Sequence, residues 1–260
     1  MRTLASFFIL TLVIGLLVSL SFGQKRRVAP VSKPAASQAA SKPKEIGSTA
    51  VVIDETLSVL RSKPSLFAEP IQRMRRGRKV VIQGVAEADG VRFYKVATPP
   101  NNFGWVQSDA VFGTFKPNDE ERLARLVQAS DGFNQIEIAT EFFNLYPRSA
   151  FRPMILLLYG DLLEGVAAKL SKDSSSRLSR REMAASGAPA HSYFLNFVSL
   201  DRYRKLGIIF LFNPATRNFH YDGASWKEII GKYSTSAEVA EAQKRLDSLK
   251  QKMDATAAAK

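Results

Sequence analysis

The spacing of apolar side chains changes once along this chain, from every second position to the three-and-four rhythm of helices. Between Thr49 and about Thr114 the repeat is two: Val51 with Ile53, Leu57 with Val59 and Arg61, Val80 with Ile82, Phe93 with Lys95, and Trp105 with Gln107. Pro, Gly and Asn separate these pieces, the signature of several short strands. Some 65 residues of short strands close most economically as a small β-barrel, because closure leaves few exposed edges.

From Asn118 the period becomes helical. Leu123, Leu126 and Val127 define one face, Ile138, Ala139, Phe142, Phe143 and Tyr146 a second, and Met154, Ile155, Leu158 and Leu162 a third. Pro147 stops the second helix, and Ser149 with Pro153 opens the third. The polar stretch at 171–182 reads as a loop. Tyr193, Phe194, Phe197, Val198 and Tyr203 mark another helix, and 208–212 with 219–221 suits either a hairpin or a buried helix. In the last helix Val239, Ala242, Leu246, Leu249 and Met253 make a seam, with Glu241 facing Arg245 one turn on. The fold class predicted is therefore multi-domain, β then α: a barrel at 49–115 and a helical domain at 118–254.

The ends differ in character from both domains. Arg2 precedes an apolar run from Leu4 to Phe22, and Ser21-Phe22-Gly23 has the small-x-small form of a cleavage site. The run approaches the roughly 20 residues that span a bilayer, and Lys25, Arg26 and Arg27 follow it, so residues 1–23 read as a signal peptide or a retained signal anchor. Either way the chain is expected to be exported, periplasmic or held in the cell envelope. Residues 24–48, rich in Ala, Ser, Pro and Lys, form a basic linker with almost nothing to bury, and 255–260 form a disordered tail.

Composition narrows the chemistry. The 260 residues hold 45% hydrophobic and 23% charged side chains, with 37 Lys and Arg against 24 Asp and Glu, a net +13 that favours polyanionic partners such as a wall polymer or an anionic membrane surface. Export and the lack of recurring aromatic-basic interleaving argue against nucleic acid. The absence of cysteine removes disulfides, thiolate nucleophiles and zinc-thiolate sites. Only two histidines are present, His191 and His220, outside any metal-ligand spacing, so no metal, no cofactor and no catalytic residue is expected. A carboxylate pair for glycan cleavage would be a tertiary feature that sequence does not reveal. Asp222-Gly223 reads as a helix-start turn rather than a catalytic acid.

Several motifs carry a resemblance. Leu57-Ser-Val-Leu-Arg61 followed by Lys63-Pro64-Ser65, then Met74 through Gly77 to Ile82, Arg92 to Val96, Gly104-Trp105-Val106 and Asp109-Ala-Val111 resemble, in order and across the whole domain, the bacterial SH3 domain. In the first loop Ser58 stands for the family's asparagine and Lys63 for its glycine. The resemblance implies an SH3-like barrel that binds peptide or peptidoglycan and performs no catalysis. Its candidate ligand residues are Arg61, Tyr94, Asn101, Asn102 and Trp105, the amides offering hydrogen bonds beside aromatic walls in a groove bounded by the 98–103 loop. Packing is the stronger claim on Tyr94 and Trp105. A second candidate patch, for an anionic partner, is Arg73, Arg75, Arg76, Arg78 and Lys79 around Gly77.

One decapeptide pattern recurs. EFFNLYPRSA at 141–150 and EIIGKYSTSA at 228–237 share a Glu, two apolar residues, a Tyr and a Ser-Ala, and resemble tetratricopeptide-like helix turns of envelope proteins. Paired helices of that kind build partner-binding surfaces, and a plain bundle is the alternative. The function expected is non-enzymatic cell-envelope binding: the barrel on peptidoglycan or a wall peptide, the helices on an envelope protein. The alternatives are a membrane-anchored sensor or assembly factor, and a wall hydrolase.

Overall fold

The structure is a computed structural model that describes residues 43–99, 102–178 and 185–255. Residues 1–23, expected to be a signal peptide or anchor, nearly all of the expected linker, Asn101 and residues 256–260 lie outside the described residues.

Seven strands form one antiparallel sheet: β1 (Thr49–Val52), β2 (Val59–Arg61), β3 (Pro70–Arg73), β4 (Lys79–Ala88), β5 (Val91–Thr98), β6 (Asn102–Gln107) and β7 (Val111–Phe112), in the order β3-β2-β6-β5-β4-β1-β7. The sheet curls into a half-barrel over one set of alternating residues, among them Ala50, Val52, Leu60, Val80, Ile82, Tyr94, Val96 and Val106. The β4–β5 hairpin closes through Asp89 and Gly90, both with positive φ (54° and 71°), which is the backbone that a two-residue turn between twisted strands demands. β3 has no counterpart in the predicted strands. Pro70 and two polar residues in Pro-Ile-Gln-Arg hide it, and it survives as an edge strand, where a proline breaks no central ladder.

Helices follow in the expected place. α1 (Asp119–Ala129) begins with Asp119, Glu120 and Glu121, acids suited to the positive end of a helix dipole. α2 (Gly132–Leu145) ends at Tyr146, and α3 (Arg152–Arg177) starts with Pro153 in its first turn. α3 runs through Ser171 to Arg177, where a loop was expected. Ser171 donates to Ala167 O at 2.7 Å and Ser174 to Ser171 O at 3.1 Å, so the hydroxyls are satisfied by the helix's own backbone.

The helix expected around Tyr193–Tyr203 is broken into α4 (Ala190–Leu195), a 3-10 turn at Val198–Leu200 and α5 (Asp201–Arg204). The hairpin reading of 208–221 holds, as β8 (Phe210–Asn213) and β9 (Asn218–Tyr221). Phe212 from this hairpin stacks on Phe194 with centroids 4.7 Å apart. α6 (Ala224–Lys232) and α7 (Val239–Asp254) complete the chain, with Ala242 and Leu249 buried on the predicted seam. Asn213 Nδ2 donates to the carbonyls of Lys252, Met253 and Ala255, satisfying the open end of α7.

The repeated decapeptide is a repeated structure. Tyr146 and Tyr233 end their helices at φ/ψ of −126°/64° and −127°/41°, each N–H bonding four residues back, to Phe142 O and Ile229 O. Ser149 N then bonds Tyr146 O as Ser236 N bonds Tyr233 O, and Arg152 N bonds Ser149 O as Val239 N bonds Ser236 O. The hairpins α2–α3 and α6–α7 thus turn alike. They meet through α3 against α6, and residues 178–223 are an excursion between them.

Sheet and helices share a core. Val51, Ile53 and Phe112 point away from the half-barrel interior and join Leu123, Val127, Ile138 and Phe142. Among the described residues no helix is long and apolar enough to cross a membrane.

Candidate functional site

Register decides which predicted residues can act together. Tyr94 pairs with Val106, whereas Lys95 pairs with Trp105. Directly paired residues share a face and neighbours alternate, so Tyr94 and Trp105 lie on opposite faces of the sheet. Tyr94 is 1% exposed inside the half-barrel, edge-on to Phe115 at 6.3 Å, with Lys116 Nζ 5.2 Å from its ring. Burial pushes its phenol up to about 12. It is a core residue and leaves the predicted groove.

The outer face is divided. Its β1–β7 end is sealed by helices, through Val51, Ile53 and Phe112, while the middle strands stay open. There one row runs Thr49, Val81, Ala97, Phe103 across four strands, and the next runs Gly84, Lys95, Trp105, Arg61. Phe103 is 53% exposed and Val81 43%, so the first row is an apolar stripe facing solvent. Gly84 leaves room beside it: a side chain there would meet Lys95 Cβ and the Trp105 ring edge at 3.5 and 4.0 Å. Neither row contains a carboxylate.

Arg61 borders this face and is held by the loop beside it, its Nη1 donating to Ala68 O at 2.8 Å. That loop is itself tied down, Ser65 Oγ and Leu66 N both donating to Asp89 Oδ2 at 2.6 and 2.8 Å. At its tip Phe67 stands 89% exposed. Asn102 is half-buried, its amide 3.5 Å from Gln72 Oε1. Of the five ligand residues read from the sequence, Arg61 and Trp105 therefore share the outer face, Tyr94 and Asn102, the latter paired with buried Thr98, belong to the opposite face, and Asn101 lies outside the described residues. The exposed Phe103, Val81 and Phe67 were not singled out. Alternation placed the first two on a face, but only the strand order says that no helix covers that face.

The arginine turn is mostly structural. Arg76 donates from Nε to Ile53 O at 2.9 Å, from Nη1 to Glu137 Oε2 at 2.8 Å and from Nη2 to Asn134 Oδ1 at 2.6 Å, stitching the sheet to α2. Arg73 donates to the carbonyls of Glu55 and Thr56, and Arg78 to that of Pro99. Arg75 and Lys79 are exposed and hold no side-chain partner among the described residues. Gly77, at φ 77°, holds a left-handed backbone that favours glycine, with the mobile end of Glu141 2.8 Å from where a Cβ would sit.

Asp222-Gly223 is a helix-start turn: Asp222 Oδ1 accepts from Ala224 N at 3.0 Å, and Gly223, at φ 76°, is packed against Leu246. Among the described residues no group of three His, Asp or Glu side chains is placed to hold a metal ion. Neither a family model, nor a curated protein, nor a solved structure matches this chain.

Proposed function

We propose that the chain is a non-enzymatic binding protein of the cell envelope, whose SH3-like half-barrel receives an extended wall peptide or peptidoglycan strand on its open outer face. The observation that carries this reading is the uncovered pair of rows, with Trp105 and Phe103 presented beside Lys95 and Arg61 and no acid among them. Soluble domains rarely leave adjoining large apolar side chains on a sheet face without a use for them. Lys95 and the carbonyl-bound Arg61 supply positive charge to meet the carboxylates of a wall stem peptide. The apolar run at residues 4–22 supports export, and the twin helical hairpins supply a surface for a protein partner.

Co-sedimentation with purified sacculi tests this. The secreted chain should pellet with the wall, less so as salt is raised, and the double variant W105A/F103A should lose most of that retention while keeping its thermal midpoint within a few degrees. Unchanged retention of the double variant would exclude this face, and release of soluble muropeptides would point to hydrolysis instead.

A further inference from the structure

A second site lies far along the chain from the sheet, where β9 crosses α3 and α7. Glu164 of α3 stands at its centre and accepts three donors: Lys252 Nζ at 2.7 Å, His220 Nδ1 at 3.0 Å and the Tyr221 N–H at 2.9 Å. Burial alone would raise this carboxyl, but the three donors outweigh it and hold it below the usual range. An ionised carboxylate only accepts, so Nδ1 of His220 carries the hydrogen of that bond, and the neutral tautomer this selects has its acceptor lone pair at Nε2. Nε2 has no partner among the described residues.

His220 and Lys252 line a cavity of about 370 Å³ together with Ser171, Lys172, Ser175 and Asn218. Ser171 is already engaged, donating to Ala167 O and accepting the Phe219 N–H at 2.7 Å. Lys172, Ser175 and the Asn218 side chain are exposed and have no side-chain partner among the described residues. The only carboxylate lining the cavity, Glu164, is matched by Lys252, which leaves Lys172 as uncompensated positive charge.

We propose that this cavity binds inorganic phosphate as the hydrogen phosphate dianion, which retains one P–OH. An ammonium, a hydroxyl and an amide donate to anionic oxygens from separate positions on α3 and β9, an arrangement that suits a tetrahedral anion. The imidazole contributes what a simple cation does not: an acceptor for the proton on the phosphate. Glu164 is a positioning residue that fixes the ring's tautomer.

The test is calorimetric titration of the purified chain at about pH 8, where inorganic phosphate keeps one P–OH and a monoester has lost its last acidic proton, with inorganic phosphate, glycerol 3-phosphate, a dimethyl phosphate diester and sulfate in separate arms. Binding of phosphate, with the monoester, sulfate and the diester, none of which carries a P–OH at this pH, at least about tenfold weaker, is the expected result, since a hydrogen bond to a charged group is worth about one such factor or more. Monoester binding as tight as that of phosphate would overturn the acceptor role of the ring. K172A removes a side chain that holds no other side chain among the described residues, and H220Q replaces the acceptor; each should weaken phosphate at least about tenfold. Phosphate should also move the His220 ring nitrogen resonances and leave those of the exposed His191 in place. Absence of saturable binding, equal binding of sulfate, or K172A binding as tightly as the parent would each overturn the assignment.

Discussion

Two glycines of α3, five residues apart, should respond in opposite directions to the same one-carbon addition. Gly165 faces solvent with nothing within 4 Å of an added Cβ. Alanine there costs no contact and gains helix propensity, so G165A should stabilise the fold by about 0.5–1 kcal/mol. Gly160 is buried where α3 crosses α6, and its Cβ would fall 2.3 Å from Trp226 Nε1, 2.6 Å from Trp226 Cε2 and 2.6 Å from Ser225 Oγ. Trp226 is 1% exposed, with Tyr221 edge-on at 5.5 Å, so the indole cannot swing clear. Overpacking of this kind costs about 1–3 kcal/mol, and contacts this short to ring atoms belong at the upper end. Subtracting the propensity gain leaves G160A less stable by about 2 kcal/mol. Urea unfolding followed by far-ultraviolet circular dichroism measures both: the midpoint should rise for G165A and fall for G160A at an unchanged slope. A G160A midpoint at or above that of the parent would refute the close helix crossing, and with it the contact between the two hairpins.

Two further outcomes follow from the charged network. R76A should destabilise by about 2–4 kcal/mol in the same assay, because it strips partners from Ile53 O, Glu137 and Asn134 at the sheet–α2 seam, whereas R75A should stay within about 0.5 kcal/mol. Glu164 has a depressed native carboxyl, so its stabilisation is present above the unfolded range near 4.5 and is lost as pH falls through the lower native value. The thermal midpoint of E164Q should accordingly lie below the parent at neutral pH and converge on it in acid; parallel profiles would contradict this.

Much of the architecture could be read from periodicity. The change at Asn118 separates sheet from helices, and the Glu-Tyr-Ser-Ala pattern marks two turns whose hydrogen bonds coincide. What escaped was set by partners distant in sequence. The serines at 171–176 read as loop because nothing local reveals that Ser171 also receives the β9 backbone. Tyr94 and Trp105 both look like groove residues until the register places one inside and one outside. His220 and Glu164 are separated by 56 positions, and neither lies in a motif, so only the crossing of β9 over α3 brings them to 3.0 Å. The bonding of the arginine turn was hidden for a related reason: the carbonyls that engage three of its members belong to other segments.

The excursion at residues 178–223 bears on the order of folding. α2–α3 and α6–α7 are each joined by a short turn and can form locally, but their union through Gly160 must close the whole intervening length. Loop-closure entropy grows only as the logarithm of length, about 0.6 kcal/mol per doubling, so the detour weighs lightly on equilibrium stability. Its weight falls on kinetics, where contacts of large sequence separation form late. The helix crossing would then be made after the rate-limiting step, and loosening it would chiefly speed unfolding while leaving the refolding rate nearly untouched.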